Sequence, residues 1–510
     1  MKPYLAIFRD DGTCELRAGR VARIGTASLI GEVRLDDRFT LARKLGVHDA
    51  DDRELLLHAW RRWRTECVQH LLGDFSFALH DGETHEAFVA RDRFGIRPCY
   101  LARIDDALLV SNSLEAILAR REVDADTLDD RAVADYLDSG IPSDAEATIY
   151  AHVKRLAPAH VLSQGRVRRY WSLNWNRNNQ RRRAESPPLQ EFEAALQHAI
   201  ADRTTTSSAI VFMSGGLDST TLAALAHERD PHARILAATS VYRTRAGDVE
   251  ESFAAEAARS IGIPIRFFAL DQWSPLHSLE SGEWTAEPGP LLTRSMTRAI
   301  YSAVAEHAPV AMHGHPADAV LSADLQLAMR PLIDARRFGA IATALMRYAR
   351  IKRRVPWFFL RELFASSPPH AHPLQSAMWS SLFEWAHPLQ TGAPIELVYP
   401  WADLRVIDAA LALDPFPWLI DKHVLRELLR NRVSESIRTR PKTFFRGDPW
   451  RVALTPEQPV DIDAASPYID VAAFIKAVRE SKELNEKSLR VVALAYWLRE
   501  RPHALEHLRG

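Results

Sequence analysis

The sequence predicts two domains: a strand-rich α+β domain over residues 1–175, and over 189–510 an α/β domain with a doubly wound parallel sheet and added helices. Three observations predict this division. Short alternating apolar runs dominate the first third, strands and helices alternate from residue 209 onwards, and a polar stretch separates the two patterns. A chain of 510 residues is long enough for roughly two to four domains.

The first domain shows apolar residues at every second position in short runs. The segments Asp74–His80 and Glu86–Ala90 alternate in this way and predict strands. Between them and the chain start, Glu54–Trp63 and Thr65–Leu72 have the pattern of helices. Strands and helices in separate groups favour an α+β arrangement.

Residues 176–188 are predicted to be a linker. The stretch is rich in Asn and Arg, including Arg181–Arg183, and it ends in two prolines with almost nothing to bury. Nucleic-acid contact by these arginines is the alternative. The whole chain carries 65 Lys and Arg against 66 Asp and Glu, so no basic excess supports binding to nucleic acid.

Cysteine usage and hydropathy limit the class of protein. Cys14, Cys67 and Cys99 are widely spaced without a CxxC pair, which argues against a disulfide scaffold or a cysteine-ligated zinc site. No apolar run approaches the ~18 residues that a membrane span needs, and the first residues lack a secretory apolar region. We therefore expect a cytoplasmic protein without a membrane partner.

The second domain alternates strands with helices. A glycine turn follows the first strand, Gly262 ends the second helix, and the pattern from about residue 330 onwards is mainly helical. Strands that have lost polar alternation are typical of a parallel sheet buried on both faces. The predicted strands are 209–213, 234–242, 265–269 and 309–312, and the predicted helices are 219–229 and 250–261.

The glycine turn is the first candidate site. It lies between a strand and a helix, where backbone N–H groups and the helix dipole can hold a phosphate, and it lacks the Lys-Ser/Thr ending of a Walker A loop. Asp218 would repel a phosphate unless a divalent cation lay between them, which implies Mg²⁺. The alternative is an N-capped turn with an incidental aspartate. The predicted phosphate-binding residues are Ser214, Gly215, Gly216, Leu217, Asp218 and Ser219.

A second loop, His313–Asp318, follows another predicted strand. In a doubly wound sheet both loops open onto the same edge, so Asp318 could meet Asp218 across one metal ion. Two carboxylates joined through Mg²⁺ and phosphate oxygens can organise phosphoryl or adenylyl transfer. The alternative is a turn with a structural histidine.

Together these segments resemble the glutamine-dependent asparagine synthetases and their relatives. The turn 214–219 is similar to the pyrophosphate-binding loop of that family. The resemblance implies an Ntn-hydrolase-like αββα first domain, an ATP-using adenylating second domain, and Mg²⁺ as cofactor. The segments that resemble the amidotransferase domain of the family are Gly31–Val33, Leu72–Leu79, Ala90–Pro98 and Ser111–Leu118.

One departure from the family concerns the nitrogen source. Glutamine hydrolysis in the family needs a cysteine as first residue of the mature chain, whereas Met1 here is followed by Lys2 and the nearest cysteine is Cys14. We therefore expect no glutaminase activity. This expectation favours the amide-forming relatives, the β-lactam synthetases and the lasso-peptide cyclases.

The resemblance implies four further site residues. His315 occupies a position at which a histidine resembles the lasso-peptide cyclases, and it would act as a base on the attacking amine. Glu384 matches a glutamate of the β-lactam synthetases and would orient His315. Lys442 matches a lysine that stabilises an oxyanion, and Lys422 one that contacts pyrophosphate. Structural pairing of Glu384 and a solvated basic loop at Lys442 are the alternatives.

The resemblance implies the function of a lasso-peptide cyclase. Such an enzyme adenylates an Asp or Glu side chain of a precursor peptide and joins it to the N-terminal amine of that peptide, which a separate leader peptidase exposes. The rivals are a small-molecule amide or β-lactam synthetase, an ammonia-dependent asparagine synthetase, and a catalytically silent scaffold.

Overall fold

The computed structural model describes residues 2–17, 19–173, 188–204, 208–244, 250–321, 329, 332–333, 336–352, 373–441, 450–453 and 461–510. The predicted linker lies outside this set except for Pro188, where a helix begins.

The first domain contains two antiparallel sheets packed face to face. One has the strand order β2-β1-β8-β7-β9 and the other β11-β10-β6-β5-β4-β3. The strands are β1 Leu5–Arg9, β2 Cys14–Arg17, β3 Ala22–Ile24, β4 Ala27–Leu35, β5 Gly73–Asp81, β6 Glu86–Arg91, β7 Tyr100–Ile104, β8 Ala107–Ser111, β9 Val153–Arg155, β10 His160–Ser163 and β11 Arg166–Arg169. The helices are Arg38–Leu45, Asp52–Trp63, Cys67–His70, Leu114–Leu118 and Asp130–Ser139.

Side-chain alternation along β1 shows how the layers form. Tyr4, Ala6 and Phe8 point between the two sheets, whereas Leu5 and Ile7 point to the opposite face and pack under helices. Helices also cover the outer face of the six-stranded sheet. The predicted αββα sandwich is therefore confirmed. The predicted helix 65–72 is shorter, because a 3₁₀ turn at 64–66 precedes it.

The C-terminal helix Glu486–Arg509 belongs to this sandwich although it is distant in sequence. Leu494, Trp497 and Leu505 pack in the same cluster as Leu5 of β1. Arg490, also on this helix, donates a hydrogen bond of 2.7 Å to the carbonyl of Asp138. Part of the outer helical layer of the first domain thus comes from the end of the chain.

We expect Trp497→Phe to lower the free energy of unfolding by about 2 kcal/mol. The Trp497 ring is fully buried, and its Nε1 donates to the Thr285 carbonyl at 2.8 Å. Phe fills less volume and leaves that carbonyl without its donor. Urea unfolding followed by circular dichroism measures the change. Trp63→Phe, at a half-buried position, is the matched control and should change stability less.

The second domain is built on a parallel sheet of order β14-β13-β12-β15-β16. The strands are β12 Ser208–Phe212, β13 Arg234–Val241, β14 Ile265–Ala269, β15 Val310–Met312 and β16 Glu396–Val398. The helices are Pro188–Arg203, Leu217–Arg229, Glu250–Ile261, His277–Glu280, Arg294–Ala305, Ala317–Leu321, Phe338–Lys352, Ala377–Trp385, Pro388–Thr391, Leu404–Ala412, Pro415–Trp418, His423–Leu428, Glu435–Arg438 and Val471–Ser481.

The strand order of this sheet determines where a ligand can bind. From β12 the chain adds β13 and then β14 on one side of the sheet. It then crosses to the other side of β12 and adds β15 and β16, so the direction in which strands are added reverses between β12 and β15. A crevice opens at such a switch point beyond the carboxyl ends of the strands. The loops after these two strands are the ones singled out from the sequence. Among the helices described, none has the length and apolar character needed to cross a bilayer.

Candidate active site

The glycine turn after β12 is tightly packed from behind. Gly215 has a φ of +68°, and a Cβ at this position would lie 2.6 Å from backbone atoms of Phe253 and Ala254. Arg440 donates from Nη1 to the Ser214 carbonyl at 3.1 Å, and its guanidinium lies 4.0 Å from the Phe253 ring centre. Glycine is the residue that fits at 215, because the backbone of Phe253 and Ala254 lies so close and φ is positive. The packing of this backbone and the hydrogen bond from Arg440 hold the turn in one shape.

The two loops meet through their acidic residues. Lys422 Nζ lies 2.6 and 2.5 Å from the two carboxylate oxygens of Asp218 and 2.7 Å from Oδ1 of Asp318. Gly314 packs directly against this cluster, because a Cβ at its position would be in van der Waals contact with the Asp218 Cβ at 3.6 Å. The structure therefore brings together three residues that the sequence analysis placed in one site.

The donor set around Lys422 fits Mg²⁺. Protein-bound Mg²⁺ usually takes one or two carboxylates and completes its octahedron with phosphate oxygens and water. Asp218 and Asp318 both face the positive charge of Lys422. Within the described residues, no group of three or more His, Cys, Asp and Glu side chains could hold a metal, so the candidate for Mg²⁺ is this pair of carboxylates. Asp218 and Asp318 are the residues that would hold Mg²⁺, and the ion would neutralise phosphate charge at this site.

A cavity of about 990 Å³ surrounds this cluster. The glycine turn lies along it, and the carboxyl ends of β13 and β14 form one wall. The opposite wall comes from the loop after β15, the helix Phe338–Lys352 and the segment 419–422. Residues of the first wall include Ala238, Thr239, Ser240, Tyr242, Glu250 and Leu270, and those of the opposite wall include His313, His315, Leu321, Tyr348, Lys352 and Ile420.

His315 faces the cavity and is accessible from it. The surrounding protein desolvates its ring and lowers the pKa of His315 from the ordinary value, and Asp318 partly offsets this effect. The Trp379 ring packs against the His315 ring in a T-shaped arrangement, at a centroid distance of 5.4 Å. A neutral imidazole beside Asp318 is suited to accept a proton.

His313 is a site residue that the sequence analysis did not select. Its ring centre lies 4.2 Å from that of His315, and its Nδ1 accepts a hydrogen bond of 3.2 Å from the His315 backbone N–H. Burial, and then His315, hold the pKa of His313 well below its ordinary value. A neutral His313 with its proton on Nε2 follows from this geometry. The sequence signal that could have identified His313 is its position directly after β15 and two residues before His315.

Comparison with known proteins assigns the sequence to a family. The family model described as asparagine synthase matches residues 191–499, which is more than half of the chain. The chain belongs to the asparagine synthase family. A second model, the glutamine amidotransferase domain, matches residues 37–171.

Individual relatives align with this chain over shorter lengths than the family model does. Glutamine-hydrolyzing asparagine synthetase 3 of Bacillus subtilis is 29% identical over 181 residues, covering 34% of this chain and 29% of the relative. A putative glutamine-hydrolyzing asparagine synthetase of Mycobacterium tuberculosis H37Rv is 32% identical over 224 residues, covering 41% of this chain and 33% of the relative. The aligned segments thus span about a third of these relatives. Among solved structures, NMN synthetase from Francisella tularensis matches at 12% identity and a TM-score of 0.28, covering 64% of this chain and 97% of that one.

Glu384 of this asparagine synthase family member lies at the boundary between the two domains. Its Oε1 accepts from Arg91 at 2.7 Å, and its Oε2 accepts from Arg155 at 2.8 Å and from the Tyr100 hydroxyl at 3.1 Å. The residue is 1% exposed and is absent from the described cavity lining, which includes His315. These contacts support the structural alternative, and an orienting role for Glu384 has no geometric support here.

Lys442, the expected oxyanion residue of the asparagine synthase fold, lies outside the described residues. The segment that leads to it does reach the site, because Thr439, Arg440 and Pro441 line the cavity. The role of Lys442 therefore stays a prediction.

Proposed function

We propose that this chain is an ATP-dependent amide-bond-forming ligase of the macrolactam-forming, lasso-peptide-cyclase type. The observation that carries the proposal is the meeting of Asp218, Asp318 and Lys422 beside the glycine turn. This cluster offers two carboxylates for Mg²⁺ and an ammonium for a polyphosphate, at the edge of the sheet where nucleotides bind.

The proposed reaction has two steps. A substrate carboxylate oxygen attacks the α-phosphorus of ATP, pyrophosphate leaves, and an acyl-adenylate forms. The amine then attacks the acyl carbon, AMP leaves, and the amine proton passes to Nε2 or Nδ1 of His315. Lys442 would stabilise the oxyanion of the tetrahedral intermediate. Lys422 would hold the leaving pyrophosphate.

The substrate assignment rests on position 315 and on the shape of the site. A histidine there resembles the lasso-peptide cyclases, and the cavity extends past the glycine turn to a second wall that includes Leu321 and Tyr348. A precursor peptide would supply both the carboxylate and the N-terminal amine, and a separate leader peptidase would expose that amine.

The environment of the cysteines supports an amine that does not come from glutamine. Burial raises the pKa of the Cys14 and Cys67 thiols to about 12 and that of Cys99 to about 11. A thiol with such a pKa provides almost no thiolate near neutral pH. We expect no release of glutamate from glutamine, with or without ATP. Glutamate release that is lost in one Cys→Ala variant would contradict this.

ATP–pyrophosphate exchange tests the proposed function. Aspartate, a small β-amino acid and a candidate core peptide should each be offered to the wild type and to Asp218→Ala. We expect exchange with the peptide alone, reduced about tenfold or more in the variant. Exchange with a small acid would favour the small-molecule amide synthetases instead. A chain that binds no Mg·ATP would contradict any ligase assignment.

A further inference from the structure

Lys422 reaches the two carboxylates from an unusual backbone conformation. Asp421 has φ 49° and ψ 31°, and Lys422 has φ 54° and ψ 42°. Two consecutive residues with side chains in the left-handed region are disfavoured, because their Cβ atoms crowd the neighbouring carbonyls. Such a pair persists only where its surroundings hold it. The ammonium position thus depends on whatever fixes this dipeptide.

The structure shows what fixes it. Lys352 Nζ lies 2.7 Å from Asp421 Oδ1 and ties the dipeptide to the helix Phe338–Lys352. On the other side, Arg426 donates from Nε to the Asp421 carbonyl at 3.1 Å. The same guanidinium also donates to the carbonyls of Arg438 and Arg440, at 2.7 and 3.1 Å. Asp421 is therefore held by its side chain and by its backbone.

We propose that Asp421 is a positioning residue for the phosphate site, acting through Lys422 and anchored by Lys352. This inference rests on the proposed function, since it assumes that Lys422 contacts the polyphosphate of ATP. The Asp421 carboxylate pairs with Lys352, whereas the ammonium of Lys422 pairs with Asp218 and Asp318. The proposed contribution of Asp421 is therefore to fix the turn that carries Lys422. An ammonium displaced by about 1 Å would lose much of its interaction with a phosphate oxygen.

The test compares variants of Asp421 and Lys352 with a matched control on the same helix. We expect Asp421→Ala and Lys352→Met each to raise the dissociation constant for Mg·ATP about tenfold, measured by isothermal titration calorimetry. Asp421→Asn should recover most of the affinity, because Asn tolerates left-handed backbone and its amide oxygen can still accept from Lys352. Arg347 lies on the same helix as Lys352 and forms an ion pair of comparable exposure with Asp414. Arg347→Met removes this pair and should leave binding unchanged.

Lys352 and Asp421 both line the cavity, so positioning has to be separated from direct contact with ATP. The double variant Asp421→Ala/Lys352→Met and the rescue by Asp421→Asn do this together. If Lys352 acts through Asp421, the double variant binds Mg·ATP no more weakly than either single variant. Additive losses would overturn the anchoring role of Lys352, and wild-type affinity in Asp421→Ala would overturn the positioning role. Circular dichroism checks folding, and Asp421→Ser, whose hydroxyl is too short to reach Lys352, replaces Asp421→Ala in the single and double variants if Asp421→Ala is unfolded. A wild type that binds no Mg·ATP would instead overturn the proposed function and this inference together.

Discussion

Replacing His315 by Gln should slow amide formation by about 10²- to 10⁴-fold while ATP–pyrophosphate exchange continues near the wild-type rate. Exchange requires only the carboxylate, ATP and the phosphate site. The amine enters later, and its proton is the one that His315 would accept. The two steps can therefore be read separately in one sample, as exchange of labelled pyrophosphate and as amide product by mass spectrometry.

The pH dependence of the same reaction gives a second readout for His315. A base must be neutral to accept a proton, and the lowered pKa keeps His315 neutral to a lower pH than usual. The inflection that His315 contributes to the pH profile should thus lie below the ordinary histidine value of about 6.5, apart from the protonation of the substrate α-amine at about pH 8. His315→Gln should lack this acid limb.

His307→Gln is the control for the His315 prediction. His307 belongs to the same domain but lies outside the described lining of the cavity, where its Nε2 contacts Arg266 at 3.0 Å. It should leave both steps and the pH profile unchanged. Loss of exchange in His315→Gln would show that the ring serves ATP or carboxylate binding, and would contradict its role as a base.

Replacing Glu384 by Ala should lower the free energy of unfolding by about 3–5 kcal/mol. Both carboxylate oxygens lie between the guanidinium groups of Arg91 and Arg155, whose side chains are 0% and 4% exposed. Among the described residues, the acceptors that remain for Arg91 without the carboxylate are the backbone carbonyls of Gly95, Leu156 and Arg97. Two buried positive charges then lose their shared partner across the domain boundary.

Glu384→Gln isolates the charge from the packing. Burial raises the pKa of the Glu384 carboxyl, but Arg155 and Arg91 outweigh burial and hold the pKa below its usual value. The carboxylate therefore stabilises the fold above the unfolded pKa of about 4.3, and this contribution is lost as the pH falls through the folded pKa. Gln should remove that acid dependence. A variant with wild-type stability at every pH but no amide product would instead support a catalytic Glu384.

The sequence predicted the elements that carry strong local signals. The helix Glu250–Ile261 appears with the predicted bounds, because an apolar periodicity coincides with a glycine stop, and Gly262 has a φ of +86°. Strand β16, Glu396–Val398, was not predicted. Three residues show no periodicity, and only pairing with β15 makes them a strand.

The same distinction applies to the site. Asp218 and Asp318 could be placed together in advance, because parallel strands bring their following loops to one edge. The partners of Glu384 could not be foreseen, since Arg91 is 293 residues away in the chain. The sequence around Glu384 is the same whether its carboxylate faces His315 or two arginines. Only the packing of the two domains separates the two roles.

The helix Glu486–Arg509 has a consequence for biosynthesis. About 320 residues separate it from Arg169, the end of the last strand in the first domain, which corresponds to roughly 15–60 s of translation. During this interval a nascent first domain lacks part of the helical cover over the apolar sheet face that includes Leu5 and Ile7. A ribosome-bound chain should thus need chaperone protection, and a fragment that ends at residue 173 should aggregate unless a peptide corresponding to 486–509 is added.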